Sequence, residues 1–328
     1  LFAALALLLP YSLRSGDLQA GAPQQPPPAK QQEPPTIRVG VSLVNIFATV
    51  RDRSKRIVPD LAKDDFRVFE DDREQKIDFF SRETNLPLNM GILIDTSPSQ
   101  EDVLRVEQEV GAQFVRTVMQ KQDLAFVFSF DQEVDMLSDF TGSAEQVERA
   151  LNRARAFAPR TPPGVQGPLP VPARGTRFYD AIWLACKQRL ASEVGRKAVV
   201  VLTDANDQGS KVSLNEAVEA AQKSDTVVHI ILISDYEWYA RRGYGVGYGE
   251  SEAKKIAQET GGLSIAVRNE KDLKKAFEQI SEELRTQYTL GYYPTNPARD
   301  GKFRKLKVEV KHDGMRVLAR RGYYAPSK

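Results

Sequence analysis

Apolar positions along this chain follow two rhythms, and the change from one to the other divides it. Residues 36–50, TIRVGVSLVNIFATV, alternate and are rich in Val and Ile, which predicts a strand. A polar turn, RDRSKR, leads into IVPDLAKDDFRVFEDD and REQKIDFFSRE; a bend is expected at Pro59-Asp60. Asp71-Asp72 predicts a hairpin turn between Phe66–Phe69 and Ile77–Phe80. The same pattern returns near the other end in QYTLGYYP (287–294), KLKVEVKH (305–312) and MRVLARRGYYA (315–325), with turn signals at Asp300-Gly301 and Asp313-Gly314. Neither group has much core alone. The economical arrangement is a small β-rich sandwich built from both ends, 36–85 supplying one half and 286–325 the other.

Between them, 86–285 alternates strand and helix. LNMGILID (88–95) reads as a buried strand, followed by Val103, Val106, Val110, Phe114 and Val118 at helical spacing. DLAFVFSF is a second strand and EVDMLSDF a short edge strand, with helices at 144–155 and 178–193. RKAVVVLTD (196–204) is an unbroken apolar run of the kind needed by a strand covered on both faces. SLNEAVEAAQKS, TVVHIILIS, SEAKKIAQETG, LSIAV and KDLKKAFEQISEELRTQY continue the alternation. The fold class predicted is α/β, a doubly wound, mostly parallel central sheet flanked by helices, with the β-rich sandwich beside it. Eight units for a barrel are lacking. No Gly-rich phosphate loop follows any strand, which removes nicotinamide and P-loop nucleotide chemistry.

Composition narrows the function further. The net charge of +2 leaves no electrostatic footprint for nucleic acid. One Cys and two His exclude an internal disulfide and a Cys/His zinc site; Cys186 reads as a small core hydrophobe. The apolar block LFAALALLLP falls short of the roughly 20 residues that span a bilayer. With Ala20, Gly21 and Ala22 after it, residues 1–22 read as the remnant of a secretory signal, and 23–35 as a Pro/Gln-rich linker. The expected location is therefore secreted, periplasmic or cell envelope, with membrane association only through an uncleaved N-terminal segment.

Three signals fall at the carboxyl edge of the predicted sheet, where open sheets of this kind place ligands. Asp95, Ser97 and Ser99, in DTSPS, follow a strand at spacing i, i+2, i+4. A loop curling there can turn one carboxylate and two hydroxyls to a single centre, a hard oxygen set suited to Mg²⁺ or Mn²⁺. Thr176 precedes the helix beginning FYDAI, and Asp204 ends the most apolar strand in LTDANDQ. Taken singly, Asp95, Ser99 and Thr176 can equally cap helices, and Asp204 can satisfy a turn.

In that order and on those strands, the three motifs resemble the metal-ion-dependent adhesion site of the von Willebrand factor type A domain family. The flanking segments extend the likeness, to secreted bacterial members of the family, over most of 36–325. The resemblance implies that Asp95, Ser97, Ser99, Thr176 and Asp204 hold a divalent cation, directly or through water, and that an Asp or Glu of a partner protein completes its shell. Asp207 matches a trailing acid of the motif but is not assigned to the metal. Hydroxyl ligands are neutral and leave the ion attractive to an external anion. Neither His229 nor His312 falls where a general base is needed, so the expectation is a binding protein and no enzyme. The alternative is a structural or assembly scaffold whose β-rich part interacts without metal.

Two loops rim the predicted site. The Pro/Gly-rich 156–175 delivers Thr176. The other, 235–250, carries Tyr236, Trp238, Tyr239 and Arg241, residue types enriched at protein-binding hot spots, so a protein partner is expected first and a glycan second.

Overall fold

Alternating burial along Val44–Arg51 makes the first strand, β1, which sets inward Val44, Ile46, Ala48 and Val50 against a shared core. The computed structural model describes residues 43–82, 86–156, 175–233 and 249–327. After β1 come β2 (Phe66–Glu70), β3 (Arg73–Gln75) and β4 (Ile77–Ser81). The central part holds β5 (Leu88–Asp95), α1 (Leu104–Val118), β6 (Leu124–Phe130), β7 (Val134–Thr141), α2 (Ala144–Leu151) and α3 (Phe178–Leu184). It continues with β8 (Arg196–Thr203), α4 (Leu214–Lys223), β9 (Thr226–Ile233), α5 (Glu250–Thr260), β10 (Ser264–Val267) and α6 (Glu270–Arg285). The chain closes with β11 (Tyr288–Tyr292), β12 (Phe303–Val310), β13 (Arg316–Ala319) and β14 (Gly322–Tyr324). Residues Val41–Lys328 make one unit; Leu1–Gly40, with the signal and linker expectations, lies outside the described residues.

The central sheet runs β10-β9-β8-β5-β6-β7, all parallel except β7, which returns antiparallel along the edge. Burial on both faces explains the unbroken apolar runs: every residue of β5 and β9 is buried. Leu88, Met90 and Ile92 meet α1, α2 and α6 on one face; Leu93, Val199, Val201 and Ile230 meet α3, α4 and α5 on the other. Each such side chain contributes about 1.5–3 kcal/mol on leaving water. The doubly wound α/β class read from the sequence is the class observed. Cys186 packs in the second of these cores, and burial pushes its thiol up to about 12, so it behaves as a small apolar side chain.

Two four-stranded antiparallel sheets, β13-β1-β11-β4 and β14-β12-β2-β3, pack on one another around Ile46, Val68, Tyr288 and Tyr292. The local pairing differs from the hairpin expected at Asp71-Asp72. That turn pairs β2 only with the three residues of β3, after which the chain changes sheet and Ile77–Ser81 pairs with β11. Apart from the β2–β3 hairpin and the β4–β11 pair, the sandwich strands alternate between the two sheets along the chain, and the two sheets share one core. A buried Glu70 carboxylate holds the layers together, accepting hydrogen bonds from the Tyr292 hydroxyl at 2.6 Å and the Tyr323 hydroxyl at 2.8 Å.

The sandwich is tied to the α/β part through α6, which runs directly into β11. Arg51, at the end of β1, donates through Nε to Glu283 of α6 at 2.7 Å, and the Glu283 side chain is 3% exposed. Burial holds the Glu283 carboxyl above its ordinary value of 4.5, with Thr49 and Arg51 opposing the rise. Removing one partner of such a pair leaves a buried charge without compensation. Arg51→Met is therefore expected to cost about 3–5 kcal/mol in urea unfolding at pH 8. A carboxyl raised above 4.5 binds more protons folded than unfolded, so its contribution favours folding less as pH climbs through that window. Because Glu283 binds its proton more readily when folded, the loss in Arg51→Met should shrink as pH is lowered from 8 toward 4.5; a loss independent of pH would contradict this.

Candidate metal centre

Because β5, β6, β8 and β9 are parallel, their carboxyl ends share one edge. From β5 the chain winds through β6 and β7 to one side, then crosses back to β8 and winds to the other. The change of direction leaves a crevice between the ends of β5 and β8, the place where open sheets take ligands. Asp95 is the last residue of β5, and Asp204 directly follows β8.

After Asp95 the chain turns through a short 3-10 segment, Pro98–Gln100, that carries Ser99. One Asp95 oxygen accepts the Ser97 amide at 2.9 Å and the other accepts the Thr203 hydroxyl at 2.6 Å. Ser97 and Ser99 hydroxyls lie 3.0 Å apart, and Ser99 donates to Asp204 at 2.8 Å. Two carboxylates and three hydroxyls from two strand ends thus form one hydrogen-bonded cluster. Asp95 and Ser97 are buried, while Ser99 and Asp204 are partly open to solvent. Beyond Asp204 the backbone is held by Ala205 at φ 57°, a left-handed conformation that costs an L residue energy, with the Ala205 amide donating back to Thr203. Gly249 packs directly on this turn: a Cβ there would fall 2.2 Å from the Ala205 carbonyl oxygen.

Thr176 lies at the same edge. It is buried, its carbonyl accepts the Gln208 amide at 3.0 Å, and Arg177 donates its amide to Asp131 at the end of β6. Among the described residues no side-chain hydrogen bond joins Thr176 to the other four. The capping alternatives for Asp95, Ser99 and Thr176 are not the ones used: α1 and α3 start at Val103 and Arg177 without side-chain caps. Asp207 takes that duty for α3, accepting the Tyr179 amide at 3.2 Å. Tyr236, Trp238, Tyr239, Arg241 and residues 157–174 lie outside the described residues.

Two participants were missed in the sequence. Thr203 anchors Asp95, and Glu107 in the first turn of α1 is 1% exposed with neither carboxylate oxygen hydrogen-bonded. Burial first, then the charges of Asp95 and Asp204, hold the Glu107 carboxyl well above the ordinary range. Burial, followed by the Asp204 charge, raises Asp95 to about 7. The charges acting on both groups are acidic. No three His, Cys, Asp or Glu side chains come together as a ligand group among the described residues. What is assembled is two carboxylates with hydroxyls, an all-oxygen set that fits a hard divalent cation, and buried negative charge that such a cation would offset.

No protein-family model matches the sequence, and no curated protein does. Among solved structures, the chain is similar to the conserved hypothetical protein BatB from Bacteroides thetaiotaomicron, at 18% identity over 61% of this chain and 100% of that one, with a TM-score of 0.46. A second is proximal thread matrix protein 1 from the mussel byssus with a zinc-occupied MIDAS motif, at 14% identity, 66% of this chain, 49% of that one and a TM-score of 0.48. A third is the vWF domain of the type V pili tip protein Mfa5 from Porphyromonas gingivalis, at 12% identity, 60% of this chain, 94% of that one and a TM-score of 0.43.

A raised carboxyl binds its proton more tightly in the folded state, so the metal-free protein should lose stability as pH rises from 3.8 through about 7. Asp95→Asn keeps the oxygen that accepts the Ser97 amide and removes that ionisation. Thermal unfolding in EDTA across this range should give a shallower fall for the variant. Parallel curves would show that the Asp95 carboxyl is not the group responsible.

Proposed function

We propose that residues 86–285 form a von Willebrand factor type A domain that uses Asp95, Ser97, Ser99, Thr176 and Asp204 to hold Mg²⁺ or Mn²⁺ and to present it to an acidic side chain of a partner protein. The observation that carries this reading is the hydrogen-bonded cluster of Asp95, Ser97, Ser99 and Asp204 in the crevice between β5 and β8. Bound there, the cation supplies a positive centre with coordination positions that an external carboxylate can take from water. The chain's own part is to hold the oxygens still. Thr203 orients Asp95, the Ser97 amide fixes its second oxygen, and Ser99 bridges to Asp204.

Binding, rather than turnover, suits the surrounding chemistry. His229 is buried inside the sheet, where its Nδ1 accepts the Leu263 amide and burial lowers it to about 4; His312 pairs with Asp65 on the sandwich. Neither is placed to act as a base at the crevice. Specificity falls to the rim, with Tyr236, Trp238, Tyr239 and Arg241 as contacts to a protein or, second, a glycan. Support comes from the ends of their loop, since Ile233 closes β9 on the carboxyl edge and Gly249 packs on Ala205 beside Asp204. The remaining segments complete the proposal: 1–22 a secretory signal remnant, 23–35 a spacer, and 36–85 with 286–325 the sandwich of a secreted or envelope protein.

Calorimetric titration of the full chain with Mg²⁺ and Mn²⁺ should find one site, lost in Asp95→Ala and weakened about tenfold or more in Thr176→Ala. Peptide arrays carrying Asp or Glu, paired with Asn or Gln controls, should retain the protein only when both the ion and the acid are present. Retention that survives Asp95→Ala would move the interaction to the sandwich.

A further inference from the structure

Glu107 has no role in the cluster described above and no explanation in packing. It lies in the first turn of α1, one short loop after the segment carrying Ser99, on the helix face that also buries Leu104, Val110 and Phe114. Both carboxylate oxygens are shut off from solvent without a hydrogen-bond partner among the described residues. A neutral apolar side chain would fill the place without that desolvation cost. The charged groups acting on it are Asp95 and Asp204, so it adds a third acid to a pair already crowded. Leu104, one turn before Glu107 on the same buried face, packs against Ile94, the neighbour of Asp95, so Glu107 is buried over the end of β5. A buried carboxylate beside other acids is unfavourable unless positive charge sits among them.

Resting on the cation site proposed above, we infer that Glu107 is the third carboxylate of that site, a positioning residue acting from outside the direct ligands. It is not itself a ligand, since no three acidic side chains come within ligating reach of one point among the described residues. Its place at the N-terminal turn of α1 gives it some support from the helix dipole. With a divalent ion bound between Asp95 and Asp204, the Glu107 side chain would add attraction from outside the ligands and would help hold the ion while no partner acid is bound. Carboxylates one step outside a metal's ligands typically change its affinity 10- to 100-fold, so the effect is large enough to measure.

The test uses Mn²⁺ alone, followed by electron paramagnetic resonance of the free ion, on full-length wild type, Glu107→Gln and Asp204→Ala. Thermal unfolding is recorded for each with Mn²⁺ and with EDTA. Glu107→Gln is expected to bind Mn²⁺ roughly 10- to 100-fold more weakly. Its melting temperature in EDTA should be equal to or above wild type, because an uncompensated buried acid has been removed. A merely structural Glu107 would show the opposite pair, a lower melting temperature in EDTA and unchanged Mn²⁺ affinity, and either half of that result overturns the inference. Wild-type binding that vanishes in Asp204→Ala but is unaltered in Glu107→Gln leaves the cation site standing and removes Glu107 from it. Absence of Mn²⁺ binding by wild type removes both. If Glu107→Gln does not fold, Glu107→Met takes its place, and failure of both to fold overturns the inference in favour of a structural carboxylate.

Discussion

Repulsion between acidic groups brought to the same edge of a parallel sheet is the constraint around which the centre of this protein is organised. Strand direction alone forces it: β5 and β8 run side by side and end together, so Asp95 and Asp204 must meet. Their separation is managed by hydroxyls. Thr203 donates to one acid and Ser99 to the other, and the amide of Ser97 takes the remaining Asp95 oxygen. Burial raises the Asp95 carboxyl to about 7, and burial together with the charges of Asp95 and Asp204 holds the Glu107 carboxyl well above the ordinary range. An ordinary core would have excluded such groups, since each costs several kcal/mol when shut away from water without a counter-charge.

The rest of the fold is rigid support for this edge. Helices α1, α2 and α6 cover one face and α3, α4 and α5 the other, so the strand ends cannot splay without opening two cores. The sandwich adds a second tie. Its β11 grows directly out of α6, and Arg51 reaches across to Glu283. On the far side of the sheet, the Arg321 amide donates to the carbonyl of Glu259 in α5. Strand ends held in this way suit a site that must present oxygens at fixed spacing.

Much of this was legible in the residues. The unbroken apolar run at 196–203 identified a strand covered on both faces, and the spacing of Asp95, Ser97 and Ser99 predicted convergence that the hydrogen bonds reproduce for those residues with Asp204. Thr176 is at the same edge but outside the hydrogen-bonded run. The sandwich strands were visible as alternation, yet their partners were not, because β1 pairs with β11 and β2 with β12 across more than 200 positions. Local turn signals such as Asp71-Asp72 say where a chain reverses and nothing about which sheet it enters next. Glu107 had a signal that passed unread. It occupies the spacing of Val103, Val110 and Phe114, a charged residue on the apolar stripe of an otherwise regular helix. Glu283 breaks the stripe of α6 in the same way, and there the explanation is Arg51.

The most direct test of a divalent cation at the β5–β8 crevice is anomalous diffraction from crystals of the protein soaked in Mn²⁺, measured at the manganese edge. One strong anomalous peak is expected among the side-chain oxygens of Asp95, Ser97, Ser99, Thr176 and Asp204. A peak elsewhere on the molecule, or none at saturating Mn²⁺ with the crevice open to solvent, would contradict it.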